Sequence, residues 1–131
     1  MIDTKKLAEV ELISRWVMAL ILLSAGTSKL FSAGGFKIYY LGLFTNDALR
    51  LNPPTGLVEL YLTAIPLIEL SLGVALLVSA LKRYTIYAWY AFMASLLVGH
   101  YILQEWSSVN QMLGYFFLGM ICHLLPTKNE L

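Results

Sequence analysis

At 131 residues the chain has the size of one domain, but 59% hydrophobic against 13% charged residues excludes an ordinary soluble domain. A formal net charge of +1 without a basic cluster excludes a nucleic-acid partner. The single cysteine, Cys122, excludes an intrachain disulfide and a cysteine-rich zinc site, and no metal site is expected.

The first apolar run, Ile13–Phe31, follows a polar start in which Asp3 or Thr4 can cap a helix. Lys5 and Lys6 ahead of it, and Ser24, Ala25 and Gly26 within it, imitate a secretory signal. Asp3, Glu9, Glu11 and the length of the run argue against that reading. At about 100° per residue, Arg15, Leu22, Gly26 and Lys29 form one narrow stripe, expected to face the interior. The connection Ser32–Gly56 is too apolar for a solvated linker. Its Phe36, Ile38, Tyr39, Tyr40, Leu41, Leu43 and Phe44 predict a short interfacial helix near Phe36–Phe44, folded back on the bundle as a lid.

Asn52-Pro53-Pro54-Thr55-Gly56 breaks the chain before the second run, Leu57–Leu81. There Glu59 and Pro66 share a face, Glu69 falls near mid-span, and Pro66 frees the Leu62 carbonyl and permits a kink. Lys82-Arg83 makes a very tight turn into the third run, Tyr84–Leu103, where Ala91, Ser95 and Gly99 repeat at the spacing of a close helix–helix approach. The fourth run, Val109–Leu125, stops at Pro126. Trp89, Trp106, Tyr84, Tyr87 and Tyr115 read as anchors at headgroup depth.

A spanning helix needs about 17–25 residues, and only helices satisfy their own backbone in hydrocarbon. The expected fold is therefore all-α: one integral membrane four-helix bundle over the whole chain, with a long outer loop between helices 1 and 2. Four spans put both termini and the Lys82-Arg83 turn on one side with Lys5, Lys6, Arg15 and Lys128, and leave Lys29, Lys37 and Arg50 on the other. The first side is expected to be the cytoplasmic face of the inner or plasma membrane.

Ionisable groups at membrane depth mark pairings or pathways, and here they are Arg15, Lys29, Glu59, Glu69, His100 and His123. Lys29 is expected to pair with Glu59, which shares its depth, or with Glu69. Arg15 is expected to snorkel to headgroups. His100, Gln104 and Glu105 can form a proton-accepting or quinone-bonding cluster. His100 and His123 lie near opposite faces, roughly 15–20 Å apart by the helical rise, which argues against a shared haem. Cys122 reads as an ordinary buried cysteine.

Two segments resemble the DoxX-like superfamily and its redox-associated MauE branch: Arg15 followed by Leu22–Phe31, and Ile65–Gly73 with its Pro66, Glu69 and Gly73. The four-run layout with its long first connection is similar too. The resemblance implies importance for Arg15, Gly26, Lys29, Pro66, Glu69 and Gly73, and a role in a quinone- or thiol-linked membrane system. The lack of a cysteine pair departs from some relatives and puts direct dithiol exchange in doubt.

The leading expectation is an accessory subunit of a redox-associated membrane assembly. It would hold a quinone or lipid in an outward-facing cavity under the Phe36–Phe44 lid, served by Lys29, Glu59, Glu69 and His100. The alternatives are a structural or chaperone protein, presenting small-residue faces such as Ala91–Ser95–Gly99 to partner subunits, and a small transporter or channel-like oligomer. Expected partners are the lipid bilayer and either another protein or further copies of the chain. No residue is assigned as catalytic.

Overall fold

The computed structural model describes residues 3–131, and these are all-helical, with no strand among them. Helix α1 spans Thr4–Phe31, α2 Gly35–Phe44, α3 Thr55–Leu76, α4 Lys82–Ile102 and α5 Trp106–Leu124. By length and composition, two helices are apolar enough to cross a membrane: α3, and α5 with the segment after it.

Each boundary has a local cause. Asp3 caps α1 by accepting the Lys5 amide at 3.0 Å. Ala33 and Gly34 turn the chain through positive φ, 52° and 83°, to start α2; Gly34 adopts this without the strain a side chain would add. Helix α3 runs unbroken through Pro66 but ends at Leu76, five residues before the apolar run does. The residues beyond it leave the helix at extended Val78 and re-form as a 3-10 turn, Ser79–Leu81. Lys82 is therefore the first residue of α4 and is buried, rather than part of a solvated turn.

The long helices close into a ring: α1 packs on α3 and α5, α4 on α5 and α3, and α2 lies against α3. The α1–α3 crossing is the tightest seam. A Cβ on Gly26 would stand 2.9 Å from Leu70 Cγ, and one on Gly73 would meet Leu23 Cγ at 2.8 Å and its backbone nitrogen at 3.3 Å. The two glycines let the backbones approach from both sides. Gly119 does the same for α5, its missing Cβ leaving room for the Trp89 ring.

Trp89 is not a headgroup anchor: it is fully buried and donates its indole N–H to the Tyr115 carbonyl at 3.0 Å. Around it lies a core that includes Met18, Leu22, Leu72 and Met93, while many large apolar side chains face outward, among them Ile13, Leu20, Leu60, Leu67, Leu113 and Leu124. Of the Ala91–Ser95–Gly99 stripe, only Ala91 is exposed. Ser95 shares a 2.7 Å hydrogen bond with Tyr61 of α3, and the nearest atom to a Gly99 Cβ belongs to Phe44.

Candidate functional site

The interior stripe of α1 carries cations at two levels, Arg15 and Lys29, and each is met by a carboxylate. At the α2 end, Lys29 Nζ donates to both Glu69 carboxylate oxygens, at 2.8 and 2.9 Å. Glu69 is nearly inaccessible, with 4% of its side chain exposed, whereas Lys29 keeps 20%. The ammonium also lies 5.1 Å from the centre of the Phe36 ring, a cation–π contact. Each group thus removes the other's electrostatic reason to leave a dry interior.

This pair borders a cavity of about 150 Å3. Its roof is the inward face of α2, where Phe36, Tyr40 and Phe44 recur at one-turn spacing, with the Phe36 and Tyr40 rings 5.0 Å apart. The other walls are apolar side chains of α3 and α4, interrupted by the Tyr61 hydroxyl and by His100. His100 Nδ1 lies 3.3 Å from Glu105 Oε2, which leaves Nε2 as its other polar atom. Burial, with the nearby Glu105 and Tyr39 adding to it, pushes the Tyr40 phenol above its ordinary pKa, so it stays a neutral donor.

Of the residues expected at this site, Lys29, Glu69 and His100 converge on the cavity and Glu59 does not. Glu59 is exposed and pairs at 3.2 Å with Lys37 of α2, so the Lys29–Glu59 pairing is corrected to Lys29–Glu69. Gln104 is exposed and turns the chain at φ 60° instead of joining His100. Tyr40, Phe44 and Tyr61 complete the walls. The signal for Tyr40 and Phe44 was the aromatic period of four along α2, which marked a lid but not which rings face inward; Tyr61 lies on α3, where no spacing singled it out.

Arg15 belongs to a second polar centre near the termini. It does not snorkel: 2% exposed, it donates from Nε to Glu11 Oε1 at 2.9 Å and from the guanidinium to the Leu76 carbonyl at 2.7 Å. Lys82 Nζ approaches the same Glu11 oxygen at 3.6 Å and donates to the Leu125 carbonyl. Cys122 Sγ lies 3.5 Å from it. Two cations thus face one carboxylate, and the surplus positive charge sits at the C-terminal ends of α3 and α5, where helix dipoles favour it. Glu11 Oε2 is buried with no hydrogen-bond partner among the described residues. Glu11 and Lys82 were missed as members, although Glu11 precedes Arg15 by one turn on the same stripe.

His123 stays apart from His100; its ring packs edge-on against Tyr87 and its Nδ1 lies 3.3 Å from the Tyr90 hydroxyl. No group of three or more metal-ligating side chains converges among the described residues.

The family model for methylamine utilisation protein MauE matches residues 7–112, a segment that contains every residue lining the cavity. No curated protein and no solved structure matches the chain.

Proposed function

The chain belongs to the MauE family of methylamine utilisation proteins, a family of membrane proteins; on that premise we propose that it is an integral membrane accessory subunit of a redox-associated system and holds a quinone-like ring beneath α2. The observation that carries this reading is the Lys29–Glu69 pair set against an otherwise apolar cavity. Lys29 has three donors and gives two hydrogen bonds to Glu69, so one remains for a ligand oxygen. Tyr40 and His100 offer further polar atoms from the walls of α2 and α4, while the Tyr61 hydroxyl is held by Ser95, whose own proton goes to the Phe92 carbonyl. A cavity of about 150 Å3 has the volume that accepts a single aromatic ring.

Four crossings are supported by an inversion of polarity. Glu11, Arg15, Glu69 and Lys82 are buried while large apolar side chains are exposed on every long helix, leucines and isoleucines on α1, α3 and α5, and Tyr84, Tyr87, Val98 and Tyr101 on α4. This arrangement suits hydrocarbon and would expose a large apolar surface to water. The charges that lower the hydropathy of α1 lie partly on its buried stripe, and its outer face near Leu12, Ile13, Trp16 and Leu20 is apolar. With four crossings both termini share a side, and the exposed Lys5, Lys6, Arg83 and Lys128 on it favour the cytoplasm. Cys122, fully buried and unpaired, supports a quinone-linked or partner-mediated role over dithiol exchange by this chain itself.

The test is purification in mild detergent, organic extraction and mass spectrometry, on the wild type and on the Lys29→Met/Glu69→Leu double variant, with helicity followed by circular dichroism. A quinone recovered with the wild type and lost from an equally helical double variant is the expected result. A folded wild type that carries none, and binds none when it is supplied, overturns the reading.

A further inference from the structure

The cavity beneath α2 adjoins a second, almost wholly apolar groove of about 340 Å3 between α3 and α4. The two share Phe44, Tyr61 and Gly99 as common walls. Beyond them the groove runs between Leu57 and Val98, which are 60% and 57% exposed and form its outer lips. Gly99 puts no side chain at the boundary between cavity and groove, where an added Cβ would stand in ordinary contact with Phe44 Cζ at 3.7 Å. The seam at this level carries one polar link, the 2.7 Å Tyr61–Ser95 hydrogen bond.

We infer that this groove is a lateral binding site for a single apolar tail, whose oxygen-bearing head occupies the adjoining cavity, so that the ligand lies across the α3–α4 seam with its tail in the bilayer. The inference rests on the proposed head site and extends it to the ligand's shape. A head cavity of about 150 Å3 has no room for a chain as well as a ring. Any longer apolar part must lie outside the cavity, and the groove is the adjoining surface on which an apolar chain would meet apolar side chains. The lips Leu57 and Val98 are also the residues that four spans would turn towards lipid, so the path needs no passage through water. The occupant is the isoprenoid tail of the quinone proposed for the head cavity, and a fatty acid is the rival that the test separates from it.

Binding of a short-tailed quinone, a decyl-tailed quinone and a fatty acid to the purified protein tests this, with Val98→Trp and Ile102→Trp as variants. Both residues line the groove and neither lines the head cavity. Each tryptophan should weaken the decyl-tailed quinone about tenfold or more, the effect of displacing roughly two buried methylenes, and leave the short-tailed quinone unaffected. The Lys29→Met/Glu69→Leu variant should weaken both quinones. A fatty acid that binds more tightly than either quinone, with the same sensitivity to Val98→Trp, keeps the tail site and identifies its occupant as lipid. Tryptophan variants that leave all three ligands unchanged, or weaken short and long tails alike, overturn the lateral groove while the head site stands. A wild type that binds none of the three removes the head site, and the groove inference with it.

Discussion

Replacing Lys29 by methionine leaves the Glu69 carboxylate, 4% exposed, without its partner in a dry interior. Breaking a buried pair from one side costs about 3–5 kcal/mol, and the lower end applies because Lys29 retains 20% exposure and hence some solvation in the intact pair. The reverse change, Glu69→Leu, strands an ammonium that can move outward and still lies 5.1 Å from the Phe36 ring, so its effect should be smaller, about 1–2 kcal/mol. Removing both charges restores a neutral interior, and the double variant should fall within about 1 kcal/mol of wild type. The implied coupling energy is about 3–5 kcal/mol, well beyond what independent sites show. Titrating the protein in mixed micelles with a denaturing detergent, with far-ultraviolet circular dichroism as the readout, measures all four variants. A double variant as unstable as the sum of the two singles would show that the groups do not compensate one another, and the reasoning about the cavity would fail with it.

The exposed Lys37–Glu59 pair is a natural control: alanine at either position should change stability by less than about 1 kcal/mol in the same titration. At the α1–α3 seam Gly73→Ala should destabilise by about 1–3 kcal/mol, since the new methyl meets Leu23 backbone as well as side chain; an unchanged midpoint would contradict the close crossing. Because Cys122 is the chain's one thiol and is fully buried, maleimide labelling in membranes should be slow, and Glu11→Ala, which leaves Arg15 and Lys82 buried without their carboxylate, should speed it severalfold. Equal labelling rates would place the Glu11 cluster outside the fold's stabilising contacts. Liposomes carrying the protein should show no proton or solute flux above protein-free vesicles.

The long helices were legible because apolar runs bounded by Asp3, the Pro53-Pro54 break and Pro126 leave few other ways to bury them. The end of α3 was not, since Leu77, Val78 and Leu81 continue the hydrophobicity past Leu76. At the point where the helix ends, Arg15 of α1 donates to the Leu76 carbonyl, a tertiary bond that no hydropathy pattern records. Lys29–Glu69 was legible in part. Depth favoured Glu59, and the outcome turned on rotation, which carries Glu59 round to Lys37 of α2. Lys82 was read from its position in an apparent turn, where a basic residue is ordinarily solvated. Its partner Glu11 lies on a helix distant in sequence, a pairing that spacing along the chain cannot reveal.

The separation of the two polar centres bears on the transporter reading. Arg15 and Lys29 are fourteen residues apart on α1, about 21 Å along a helix. Between their levels the interior is filled by Met18 and Leu22 of α1, Leu72 of α3, and Trp89 and Met93 of α4, each 7% exposed or less. A charge moving between the centres would lose the hydrogen bonds of one before gaining those of the other, and this layer offers it none. The Lys29–Glu69 cavity therefore lies at its own end of the bundle, bordering the α3–α4 seam, while the Glu11–Arg15–Lys82 cluster clamps the ends of α3 and α5. A single chain built this way suits a lipid-facing holder of a small ligand, with partners recruited to its surface, better than a conduit across the bilayer.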